Sequence, residues 1–197
     1  MRFWCVWLAA ALVAAPLAAA AQPADAPKRD LRIMLDPDNP AVFGVGGWDR
    51  QVAQTGTIYY QCREEACGPG SLVSVRRQSP TVDPPSAEML RREAVERGQA
   101  IMQRSQGQVV RIETGKPKAG GDKLLHRGEV TQTFTLAPGT SDIPPFWKNG
   151  YIANKTAAFT VASSGQDRQR VDGNYTVFNV ALALVLQRLA NEAKPAE

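Results

Sequence analysis

Apolar positions along this chain follow two different periods. Leu90, Ala94, Gly98 and Ile101 recur at i, i+4, i+8 and i+11, while Arg91, Arg92, Glu96 and Arg97 occupy the positions between. That spacing marks one face of a helix. The cluster DPPS (83–86) ahead of it is a helix start, and Gly107 stands past its end, so the pattern predicts an amphipathic surface helix with solvated arginines. Elsewhere the chain reads as extended: LRIML (31–35), WDRQVAQTGTIYY (48–60), SLVSVRR (71–77), QVVRIET (108–114), GEVTQTFTL (128–136) and YIANKTAAFTVASS (151–164). These runs are rich in β-branched and aromatic residues, and the fifth places Val130, Gln132, Phe134 and Leu136 in alternation. DPDNP (36–40), KPKAGGDK (116–123) and APGTSDIPP (137–145) read as connections. The closing run NYTVFNVALALVLQRLANEAK (174–194) is long enough for a helix. It is apolar around most of its circumference through Leu186, which predicts deep packing.

The element order is therefore β-β-β-α-β-β-β-α, an α+β domain over residues 31–194. Short connections between neighbouring strands predict an antiparallel sheet of about six strands. Two helices cover one face or both, the second case giving three layers, α/β/α. This order, closing with NYTVFNVALALVLQRLA after YIANKTAAFTVASSG, resembles that of the Mog1/PsbP-like proteins over most of the chain. The resemblance implies an antiparallel sheet between helices and an accessory or binding role rather than catalysis. It carries over no functional residue.

The amino terminus changes where this domain is expected to act. Met1-Arg2 precedes an apolar run, FWCVWLAAALVAAPLAAAA (3–21), that ends in small residues with an Ala-x-Ala site near Ala21. This pattern is a cleaved secretory signal (1–21), followed by a flexible Pro- and Ala-rich leader (22–30). The mature protein is expected to be periplasmic or secreted, and Cys5 leaves with the signal. The next most apolar run, VFNVALALVL (177–186), is too short to span a bilayer and contains Asn179, so no integral membrane segment is expected in the mature chain. Lys and Arg number 23 against 19 acids and are scattered, which disfavours nucleic acid as a partner.

Export also decides how YYQCREEACGPGS (59–71) is read. Cys62 and Cys67 lie between two strands and are expected to pair in an oxidising compartment. A redox site would need Cys-x-x-Cys at a helix amino terminus, whereas here four residues intervene and Gly68-Pro69-Gly70 follows. A structural zinc site wants four ligands, and these two cysteines leave only His126 beside them. No nucleophile elbow, P-loop or His-Glu-x-x-His motif occurs, and Gly44-x-Gly46-Gly47 leads into an extended run rather than a helix. Glu64–Glu65 and Asp36–Asp38 sit in exposed turns, with neither the facing geometry of a glycosidase nor a complete calcium loop. No cofactor and no metal is expected.

The aromatics remain. Trp48, Tyr59, Tyr60, Phe146, Trp147, Tyr151 and Phe159 lie near turns and strand ends, and IPPFWKNGY (143–151) places Phe-Trp after a double proline in an expected surface loop. They either form a binding surface or close the end of the sheet core. The sequence thus reads as an exported, non-enzymatic domain with a partner-binding or envelope accessory role, its expected partner a protein of the cell envelope. An alternative is a small-ligand binder or weak hydrolase with a cleft around Trp48, His126 and Trp147, which requires those residues to converge. A further alternative is a thiol-disulfide factor, which requires a reactive Cys62–Cys67 pair.

Overall fold

The structure, a computed structural model, describes residues 33–39, 41–80, 84–121 and 124–193; the expected signal and leader lie outside the described residues. A small hairpin of β1 (Ile33–Leu35) and β2 (Phe43–Val45) precedes the main sheet. That sheet comprises β3 (Trp48–Val52), β4 (Ile58–Cys62), β5 (Leu72–Gln78), β6 (Val109–Thr114), β7 (Lys118–Gly121), β8 (His126–Leu136), β9 (Phe146–Ala153) and β10 (Ala158–Gly165). Its order is β3-β4-β5-β10-β9-β8-β6, with β7 also on β8, and all pairings are antiparallel. Helix α1 (Ala87–Arg104) lies between β5 and β6 in the chain, and α2 (Arg168–Glu192) closes it. The α+β class, the antiparallel sheet and both helices agree with the sequence reading; the strand count rises from six to eight in the main sheet.

The differences have local causes. Residues 48–60 form a hairpin rather than one run, because Gly56 takes φ 76° and the amide of Ala53 bonds the carbonyl of Thr57. Residues 151–164 likewise divide, since the Asn154 side chain accepts from the amides of Thr156 and Ala157 and reverses the chain. The expected loop 116–123 contains β7, although Lys-Ala-Gly-Gly has no strand propensity. Its pairing comes from β8, whose eleven residues bond β6 along one half and β7 along the other. The expected surface loop 143–151 is mostly strand, as β9 starts at Phe146. Helix α2 starts six residues before Asn174, where Asp167 caps it by accepting from the amide of Arg170 at 2.7 Å. Helix α1 is capped in the same way by Ser86.

Alternation along the strands assigns each side chain to a face. Ile58, Tyr60, Val73, Val75, Phe159, Val161 and Ile152 share the face that α2 covers, and with Phe178, Leu182, Val185 and Leu186 they form the principal core. The opposite face is covered differently. Helix α1 packs mainly over β6 and β8, and its Leu90 joins Tyr151, Ala153 and Ala158 of β9 and β10 in a smaller apolar cluster. The molecule is therefore three-layered, with α2 over β10, β9 and β5 on one face and α1 mainly over β6 and β8 on the other.

Candidate functional site

Between α1 and the uncovered strands runs a groove of about 540 Å3. Its wall is the α1 side chains Leu90, Glu93 and Arg97, and its floor is the alternate positions of β9, β10 and β5. Those positions read Trp147, Asn149 and Tyr151; Thr160 and Ala162; and Ser74, Arg76 and Gln78. Small and polar residues there suit an antiparallel sheet with one wet face. The same strands point Val73, Val75, Phe159 and Val161 into the core, so the groove follows from period-2 patterning.

A buried polar relay supports the groove wall. Gln132, 2% exposed in β8, donates from Nε2 to the carbonyl of Ala94 in α1 at 2.9 Å. Its Oε1 accepts from Asn149 Nδ2 at 3.3 Å, and Asn149 Oδ1 accepts from Arg97 Nη1 at 2.9 Å. The relay satisfies two buried amides that would otherwise be costly, and it leaves the Arg97 guanidinium at the lip of the groove. Gly98 makes it possible: a Cβ there would come within 2.9 Å of Gln132 Nε2. Tyr151, 6% exposed, donates from its hydroxyl to the carbonyl of Pro85 at 3.0 Å, and burial pushes its pKa up, so it stays a proton donor.

Trp147 stacks on Phe134, with ring centroids 5.7 Å apart, and its indole N–H bonds the carbonyl of Pro144. Its half-buried ring therefore offers the groove a fixed apolar surface.

No protein-family model and no curated protein sequence matches the chain. Among solved structures, the solution structure of cyanobacterial PsbP (CyanoP) from Synechocystis sp. PCC 6803 superposes with a TM-score of 0.51. The match covers 86% of this chain and 97% of that one at 14% identity. The fold is that of the Mog1/PsbP-like proteins.

Within this fold the aromatics named from the sequence separate into two groups. Trp147 and Tyr151 line the groove, and Tyr59, 39% exposed, lies on the same face of the sheet. Tyr60 belongs instead to the core, fully buried with its hydroxyl donating to the carbonyl of Phe43 at 2.8 Å. Phe159 is core as well. Trp48 packs edge-on against Phe178 at 5.1 Å on the α2 face, closing the end of the core. Phe146 lies on that face beneath the Arg168 guanidinium, 5.3 Å from the ring centroid.

The cleft expected from Trp48, His126 and Trp147 does not form. Trp48 and Trp147 are on opposite faces of the sheet, because Trp48 shares the register of Tyr60 and Val73 while Trp147 shares that of Gln132 and Ser164. His126 lies at the far end of β8, opposite Ala153 and Gly121, six residues from the Gln132 that faces Trp147.

Cys62 and Cys67 form a disulfide around a 3-10 turn (Glu65–Cys67), and both residues are buried. A second hollow, of about 470 Å3, lies between β7 and α2, with Lys118 and Arg127 at its rim. There Lys118 meets Glu129 at 3.6 Å, and Glu129 also takes Lys148 at 3.2 Å. Among the described residues no helix is long and apolar enough to cross a membrane.

The groove residues that sequence reasoning missed are Arg76, Arg97, Asn149 and Thr160. One signal pointed to them: Gln132 stands in phase with Val130 and Phe134, a polar residue on an otherwise apolar face.

Proposed function

We propose that this chain is an exported binding module that holds a segment of a protein partner in the groove between α1 and the open half of the sheet. The observation that carries this reading is the unequal covering of the two sheet faces. Helix α2 covers β10, β9 and β5 with a continuous core, whereas on the opposite face α1 packs mainly over β6 and β8 and leaves much of β9, β10 and β5 facing a groove. An extended segment suits that shape, since Ser74, Gln78 and Thr160 offer hydrogen-bonding groups along the floor while Trp147 gives an apolar anchor. The secretory pattern of residues 1–21 supports an encounter in the envelope or outside it.

The test is a groove-filling substitution. Ala162→Trp places a large ring on the floor, distant from the principal core. The variant should keep its thermal unfolding and lose the partner that the wild-type chain retains from envelope extracts. Unchanged retention by a folded Ala162→Trp chain would contradict the reading.

A further inference from the structure

We propose that the groove recognises an acidic segment, binding a side-chain carboxylate of the partner between Arg97 on the α1 wall and Arg76 on the β5 side; this rests on the groove being the binding surface. Both guanidiniums line the groove, from opposite sides of its open floor. Among the described residues neither is ion-paired with a carboxylate, although Asp49, Glu65, Glu113, Glu129, Asp172 and Glu192 all hold a cation elsewhere. Glu93, one turn before Arg97, is the acid on the same wall, and among the described residues it makes no ion pair. Two cations against one acid leave the described lining with a net positive charge, which is complementary to an anionic segment. The hollow beside β7 has the same count, Lys118 and Arg127 against Glu129, but there the acid is already paired with Lys118.

Arg97 is also prepared for the task. Asn149 takes one of its N–H groups and is itself fixed through Gln132 and the backbone of α1, so the planar guanidinium is oriented before a ligand arrives. The remaining N–H groups of its fork match the two oxygens of a carboxylate. A lysine in its place would supply charge without that geometry.

Hexaglutamate and hexaglutamine are the probes, titrated at low salt into the isotope-labelled exported chain and followed by amide shifts. Hexaglutamate should move the amides of β5, β9 and β10 around Arg76, Asn149 and Thr160, and Arg76→Gln with Arg97→Gln should weaken it at least tenfold. Arg97→Lys should keep only part of the affinity, and 0.5 M salt should abolish binding. Hexaglutamine binding in the groove as tightly as hexaglutamate, with the arginine variants unaffected, would overturn the acidic specificity and leave the groove reading standing. Hexaglutamate shifts confined to other surfaces, or absent, would overturn the carboxylate site; Ala162→Trp then tells whether the groove itself binds the natural partner. Arg76→Gln, at an exposed position, is expected to unfold like the wild type, whereas Arg97→Gln removes the donor to the buried Asn149 and should melt lower; thermal melts verify that both variants are folded at the titration temperature.

Discussion

Asn174, in the second turn of α2, donates from Nδ2 to the carbonyl of Cys67 at 2.9 Å, joining residues 107 positions apart. One turn earlier Arg170 reaches the same loop, bonding the carbonyl of Glu65 and pairing with its carboxylate at 3.1 Å. The disulfide thus does more than close a turn. It shapes the loop so that its carbonyls face the start of the helix that fills the core. Replacing Cys62 and Cys67 together by Ser should cost about 2 kcal/mol from loop closure alone. That corresponds to a fall in melting temperature of roughly 4–8 °C for a domain of this size. Calorimetry of the double variant, or of wild type under reductant, checks this; an unchanged melting temperature would leave the disulfide without a structural role.

Gly98→Ala sets helix propensity against packing. Alanine favours an exposed helix interior by about 1 kcal/mol. Here the added Cβ meets Gln132 Nε2, which is buried and bonded to Ala94. Displacing that amide leaves buried polar groups without partners, at a cost of about 1–3 kcal/mol. The variant is expected to be destabilised by about 1 kcal/mol net, with Arg97 losing its fixed orientation. Denaturant unfolding decides the sign, and a stabilised variant would show that the relay is dispensable.

Arg188 in α2 donates to the carbonyls of Asp36 at 2.7 Å and Pro37 at 2.9 Å, holding the turn between β1 and β2 on the helix. Arg188→Ala should therefore release this hairpin locally. Hydrogen exchange at the Asp36 and Val42 amides, both bonded within the turn, is expected to quicken at least tenfold, while amides of β9 and β10 keep their protection. Uniformly faster exchange across the sheet would mean that the hairpin is part of the global unit.

Tyr60 and Tyr175 are held protonated by burial, their pKa values pushed well above the ordinary value near 10, and Tyr151 is raised in the same direction. Below pH 10 both folded and unfolded chains carry neutral phenols, so this contribution is fully present. Above it the unfolded chain ionises while the folded one keeps its protons, and stability falls by about 1.4 kcal/mol per pH unit for each retained proton. Unfolding free energies from pH 9 to 11 should decline accordingly, and Tyr175→Phe should flatten the slope. A pH-independent free energy across that range would contradict the buried state of these phenols.

The helices were legible because their signals are local. Leu90, Ala94 and Gly98 announce the buried stripe of α1, and the core residues of α2 run nearly unbroken from Val171 to Leu189. The early start of α2 was hidden because Arg168, Gln169 and Arg170 read as a polar loop, and the cap at Asp167 is a single residue. β7 was invisible for the opposite reason, its pairing being imposed by β8 rather than by its own sequence. For the site, aromaticity alone could not separate Tyr60 from Trp147. Which face each side chain occupies depends on register across four strands, β4, β5, β10 and β9, and no single segment contains that information.

The measurement that bears most directly on the central claim is site-specific photo-crosslinking in living cells. A photoreactive side chain replaces either Thr160, exposed on the groove floor, or Val180, 50% exposed on the outer side of α2. The account predicts one discrete adduct from position 160, lost when Ala162→Trp fills the groove, and none from position 180. An adduct from position 180 alone, or one from position 160 that survives Ala162→Trp, would contradict it.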